Sequence, residues 1–233
     1  MEVCLFLIAE HGDDGAQAAS PDVAPAPDAW RGVRGLARWI VHRPVAFAAD
    51  RADPVPRPRS PACVLQCYFV DLDALEAMLA PAGAAQAFVE RCAAAGLRVA
   101  QQVMAVRRVP LAGARAGAQC CTYLVSYEGE AADANAWLSH YLDHHPPLMA
   151  QLPGIREIEI YTRIDYRSAL PVPRARAMQR NKVVFDDAGA LADALASPVR
   201  VLMRRDFEAL PPFTGATPHF PMASRVCEIT CAE

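Results

Sequence analysis

The 233-residue chain is 53% hydrophobic and 21% charged, which supplies a sizeable core and excludes a disordered or fibrous protein. Its 23 basic and 26 acidic residues leave a net charge of −3, so no field favours nucleic acid or an anionic membrane, and no apolar run reaches the roughly 18 residues of a spanning helix. Lys182 is the only lysine, and with 20 prolines and abundant alanine this reads as the imprint of a GC-rich bacterial genome.

Residues 1–10 (MEVCLFLIAE) read as a strand, and Glu2 stands where an export signal would carry positive charge. A cytoplasmic protein is therefore expected, with its eight cysteines, none in a C-x-x-C pair, as reduced thiols. Cys63 and Cys67, and likewise Cys227 and Cys231, share a strand face, but without histidines at ligand spacing no zinc site is assigned. Residues 11–32 hold too many prolines and glycines for a long helix. Strands follow over 32–47 and 61–71, then a helix over 71–96 broken near Pro81 and Gly83, then a strand over 97–109.

The turn-rich run 110–119 divides the chain. Beyond it, 120–130 reads as a strand and 132–145 as a helix that His145, preceding Pro146, should end. Strands over 155–166 and 181–187 come next, then a helix over 190–210 interrupted at Pro198, a loop over 211–222 and a last strand over 224–233. The order is βαββαβ, and the first half repeats it apart from its first helix. Phe69 before LDALEAMLAP matches Phe185 before AGALADALASP, and Gly35-Leu36 matches Gly154-Ile155. The expected class is α+β: two ferredoxin-like βαββαβ units fused in one chain by tandem duplication, forming a pseudo-dimeric α/β barrel. The units would span 1–109, with a degenerate first helix, and 119–233, joined by a 110–118 linker.

The pair His140-Tyr141, then His145-Pro146-Pro147-Leu148, then Leu152-Pro153-Gly154-Ile155 resembles the EthD-like branch of the dimeric α/β-barrel superfamily, in which an aromatic-rich helix carries H-x-P-L ahead of L-P-G. Residues 181–198 are similar to the family's third strand and second helix. The first half has no H-x-P-L, so a pocket built on that helix would survive only in the second half. The resemblance implies a setting near oxidative degradation pathways. Related folds span cofactorless monooxygenases, isomerases, cyclases, dehydratases and haem enzymes, so fold alone leaves the reaction open.

On that match His145 is a candidate general acid or base, with His140 and Tyr123 as catalytic companions. A capping or solvated histidine is the competing reading. Trp137, Tyr141, His144, Tyr127, Tyr161 and Arg163 are candidate substrate contacts, although Trp137 also reads as core and Arg163 as the partner of Asp165 in a polar layer. Glu157 and Glu159 read as partner-facing or solvent-facing charge. His140 and His144, one helical turn apart, offer two imidazoles, but no third ligand is evident and no metal is assigned. No cofactor is expected. Haem stays open, since one histidine suffices to hold it. The functional expectation is a cofactor-independent enzyme of small-molecule catabolism or secondary metabolism, with acid–base or oxidative chemistry on an aromatic or hydrophobic substrate. A non-catalytic binding protein is the alternative. A monomer or weak homodimer is expected, because a fused pair closes its barrel within one chain.

Overall fold

The computed structural model describes residues 1–12, 21–45, 59–111, 113 and 117–229. Eight strands are present: β1 (Val3–His11), β2 (Leu36–Pro44), β3 (Cys63–Phe69), β4 (Leu97–Arg108), β5 (Gln119–Tyr127), β6 (Glu157–Arg163), β7 (Gln179–Phe185) and β8 (His219–Glu228). Among the described residues five helices accompany them: α1 (Leu72–Met78), α2 (Ala85–Ala94), α3 (Ala134–Met149), α4 (Ala188–Ala196) and α5 (Val199–Glu208).

The strands form one closed antiparallel barrel in the order β1-β3-β2-β8-β5-β7-β6-β4. This corrects the expected pair of ferredoxin-like βαββαβ units facing one another as a pseudo-dimeric α/β barrel. β2 pairs with β8 from Arg38–Glu228 to Pro44–Met222, and β4 pairs with β6 from Met104–Arg163 to Arg108–Glu159, so the strands close into a single sheet without free edges. No helix lies between β1 and β2 among the described residues. In its place Val23 and Trp30 cover the barrel wall, with Trp30 packed on Trp39 at 5.1 Å between ring centroids. Gly35 and Gly154 both take left-handed backbone, φ 75° and 73°, and a Cβ on Gly35 would lie 2.4 Å from the Ala74 Cβ.

Two further expectations fail. The helix runs through Pro146 and Pro147 to Met149, and the Ala150 amide closes the last turn on the Pro146 carbonyl at 2.9 Å. The prolines sit near the C-terminal end, where only two ladder bonds are forfeited. The last strand begins at His219, five residues before its expected start, because 219–223 extend the ladder against β5. Asp71, Asp133 and Asp187 cap α1, α3 and α4, each accepting from the amide three residues on at 2.8–2.9 Å. The seven described cysteines are free, and Cys231 lies outside the described residues. No described helix is long and apolar enough to cross a membrane.

Alternation sorts each strand between two apolar shells and a mixed lumen. Leu5, Leu7, Leu65 and Trp39 face outward under α1 and α2, and Tyr127, Ile158, Ile160 and Phe185 face outward under α3 to α5. Phe6, Ile40, Tyr68, Met104, Tyr161 and Met222 fill the lumen. Polar groups share it. The fully buried Glu159 opposes Lys182 across the β6–β7 ladder, which corrects its reading as exposed or partner-facing charge.

His42 is also fully buried there, its Nε2–H donating to Gln66 Oε1 at 2.7 Å and its Nδ1 lying 2.7 Å from Ser224 Oγ. Burial, reinforced by the Lys182 charge, lowers its pKa from 6.5 to about 3 against smaller opposing effects of Gln66 and Glu159. The unfolded chain therefore binds this proton first. The neutral ring's contribution is complete above pH 6.5 and is lost as pH falls toward 3, by at most about 1.4 kcal/mol per pH unit. Urea midpoints between pH 7 and pH 4 should show a flatter pH dependence in His42→Gln than in the parent; equal slopes would contradict this assignment.

Candidate functional site

α3 crosses the outer wall of β5, β6 and β7, and α5 packs beside it. The apolar stripe of α3 is aromatic: Trp137 stacks on Tyr141 at 5.3 Å and 11° between planes, and Tyr127 meets both edge-on. Asn181 Nδ2 donates to the Tyr141 hydroxyl at 2.7 Å, which fixes that ring beneath the next turn of the helix. On it lies His145, with ring centroids 5.1 Å apart.

His145 is 6% exposed, and its Nδ1 lies 2.7 Å from Asp206 Oδ2. The carboxylate is supplied by α5. Burial lowers the His145 pKa, and the hydrogen bond and charge of Asp206 oppose that shift without cancelling it. With Nδ1–H given to Asp206, Nε2 holds the lone pair. A cavity of about 50 Å³ adjoins the ring, lined by Tyr123, Tyr127, Asn181, Met203 and His219 among others. Tyr123 and His219 approach at 5.3 Å between centroids, because the β5–β8 register sets Tyr123 opposite Pro221 and Val125 opposite His219.

Most of the sequence candidates thus meet at one place. His145, Tyr123 and Tyr127 line the cavity, with Tyr141 and Trp137 stacked behind them. His140 and His144 lie on the outer side of Asp206: His140 Nε2 is 3.4 Å from Asp206 Oδ1, and the two imidazoles lie 4.4 Å apart. Tyr161 and Arg163 lie elsewhere. Tyr161 is in the lumen, its hydroxyl donating to Glu159 Oε2 at 2.6 Å, and Arg163 is exposed at the end of β6. Sequence reasoning missed Asp206 and His219, which no motif or spacing ties to α3.

A larger cavity, about 450 Å³, opens at one mouth of the barrel between Phe6, Ile8, Val64, Leu124 and Phe220. Gly129 and Gly215 let two loops pass closely there, since a Cβ on Gly129 would lie 2.2 Å from the Thr214 carbonyl and one on Gly215 2.3 Å from that of Glu128. Arg180 lies in its lining, with Nε donating to Gln102 Oε1 at 3.1 Å and the guanidinium 5.4 Å from the Phe6 ring. Burial lowers the Arg180 pKa to about 10, against the charges of Glu128 and Glu10.

No protein-family model matches the chain, and no curated protein matches it. Solved structures do. An "anthrone oxidase-like protein" is 14% identical with a TM-score of 0.63, covering 100% of this chain and 96% of that one. A "putative monooxygenase" from Lactobacillus acidophilus NCFM is 12% identical with a TM-score of 0.56, covering 98% and 96%. Another of that description, from Fusobacterium nucleatum subsp. nucleatum, is 8% identical with a TM-score of 0.55, covering 97% and 94%. At such identities the likeness establishes a shared fold and leaves the reaction open.

Proposed function

We propose that this chain is a small-molecule enzyme, similar to EthD-like proteins, in which His145 moves a proton on an aromatic or hydrophobic substrate without a cofactor. The observation that carries this reading is the part-buried hydrogen bond from His145 Nδ1 to Asp206 Oδ2 at 2.7 Å, which leaves Nε2 as the basic nitrogen of a ring that lines a mainly apolar cavity. Asp206 is a positioning residue that fixes the tautomer. Tyr123 lines the same cavity and supplies a hydroxyl to a developing oxyanion. About 50 Å³ holds only a few atoms, so substrate enters by displacing half-buried side chains such as Leu195 and Met203 that α4 and α5 lay over the cavity.

The neighbours named for monooxygenase and anthrone oxidase make anthrone, with its acidic methylene C–H, a suitable probe. Anaerobic exchange of that hydrogen with D2O, followed by NMR, should be accelerated by the protein and lost in His145→Gln. Exchange at the parent rate in that variant, or no acceleration by the parent, would overturn the reading.

The mouth cavity favours a second reading, binding without turnover, because a guanidinium beside apolar walls suits an amphipathic anion. Anilinonaphthalene sulfonate should bind there, and Arg180→Ala should weaken it by about tenfold or more. Unchanged affinity would remove the mouth as its site.

A further inference from the structure

We propose that His140, His144 and Asp206 form a binding site for a divalent transition-metal ion, Zn²⁺ being the representative case. One ligand atom from each residue can be chosen so that all three lie within 4.8 Å of one another, and His140 Nε2 and Asp206 Oδ1 are already 3.4 Å apart. Ligand bonds of about 2.0–2.2 Å around a tetrahedral ion place ligand atoms roughly 3.4 Å apart, so small side-chain rotations complete the set.

The protonation pattern fits as well. His144 Nδ1–H donates to the His140 carbonyl at 2.8 Å, which leaves Nε2 as the lone-pair nitrogen, the arrangement in which a backbone carbonyl orients a metal-binding imidazole. His140 Nε2 is buried from solvent and has no hydrogen-bond partner, although a carboxylate oxygen lies 3.4 Å away. An ion between the two would satisfy both. Asp206 divides its oxygens, Oδ1 toward His140 and Oδ2 to His145, so the ion would sit on the far side of the same carboxylate.

Two imidazole nitrogens and one carboxylate oxygen suit Zn²⁺, Co²⁺, Ni²⁺ or Cu²⁺ better than Mg²⁺ or Ca²⁺, which prefer all-oxygen shells. His144 is exposed, so a fourth position is open to water or a small anion.

Co²⁺ reports the geometry directly. Titrated into the full chain without a polyhistidine tag, Co²⁺ should produce the visible d–d bands of a four-coordinate site, saturating at one ion per chain and displaced by Zn²⁺. His144→Ala, at an exposed position, should abolish the bands with the fold intact by circular dichroism, and His140→Ala should do the same. His145→Gln should keep them, which separates metal binding from any catalytic role of that residue. Absence of saturable bands in the parent, or bands undiminished in His144→Ala, would overturn the assignment.

Discussion

Replacing Lys182 with Met is expected to cost about 3–5 kcal/mol of stability, the range for stranding a buried charge by deleting its partner. The side chain is 1% exposed, and its ammonium donates to the Tyr68 hydroxyl at 3.0 Å and forms ion pairs with Glu159 Oε2 at 2.9 Å and Glu157 Oε1 at 2.8 Å. Glu159 has further support from Arg38 at 2.6 Å, Arg108 at 3.1 Å and the hydroxyls of Tyr68 and Tyr161. Burial pushes the Glu159 carboxyl up, but Lys182 and Arg38 outweigh it and hold the group ionised well below the usual carboxylate range. Loss of Lys182 leaves that anion inside the barrel with fewer partners, and the remaining cations place the cost nearer 3 than 5 kcal/mol. At this chain length the melting temperature should fall by roughly 10 °C. A double-mutant cycle with Glu159→Gln should recover about 1–3 kcal/mol relative to additivity. Strict additivity, or a single-variant loss below about 1 kcal/mol, would mean that the pair contributes little.

That network also shows what the sequence conceals. Eight strands and their order along the chain are legible from apolar and β-branched runs, and the helices from the segments between them and the breaks at Pro81 and Pro198. Which strands join across the two halves is not, since the pairing of Arg38 with Glu228 or of Met104 with Arg163 has no local signature. Closure then decides what "outside" means. In Glu157-Ile158-Glu159-Ile160-Tyr161 the isoleucines face the helices, and the glutamates and tyrosine face the lumen, yet the same alternation would describe a strand with one face in water. The sole lysine reads as composition until the ladder sets it opposite Glu159. A compact ammonium suits a place where three oxygens converge within 3.0 Å of one nitrogen. The α3 histidines are legible through the H-P-P-L match, whereas Asp206 lies 61 residues from His145 and joins it only through the α3–α5 contact.

His145→Gln should lower the rate of probe C–H exchange by about 10²–10⁴-fold, the usual contribution of a positioned general base. Glutamine keeps a polar group of similar reach near Asp206 but has no basic nitrogen, so this variant isolates proton transfer from packing on Tyr141. Variants at Asp206 should grade the effect. Asparagine can accept from Nδ1–H and preserve the tautomer while removing the charge; alanine removes both. The expected order of activity is parent, then Asp206→Asn, then Asp206→Ala, then His145→Gln. Turnover that falls in Asp206→Ala but is untouched in His145→Gln would assign the chemistry to another group on the cavity wall, with Tyr123 and His219 the nearest alternatives.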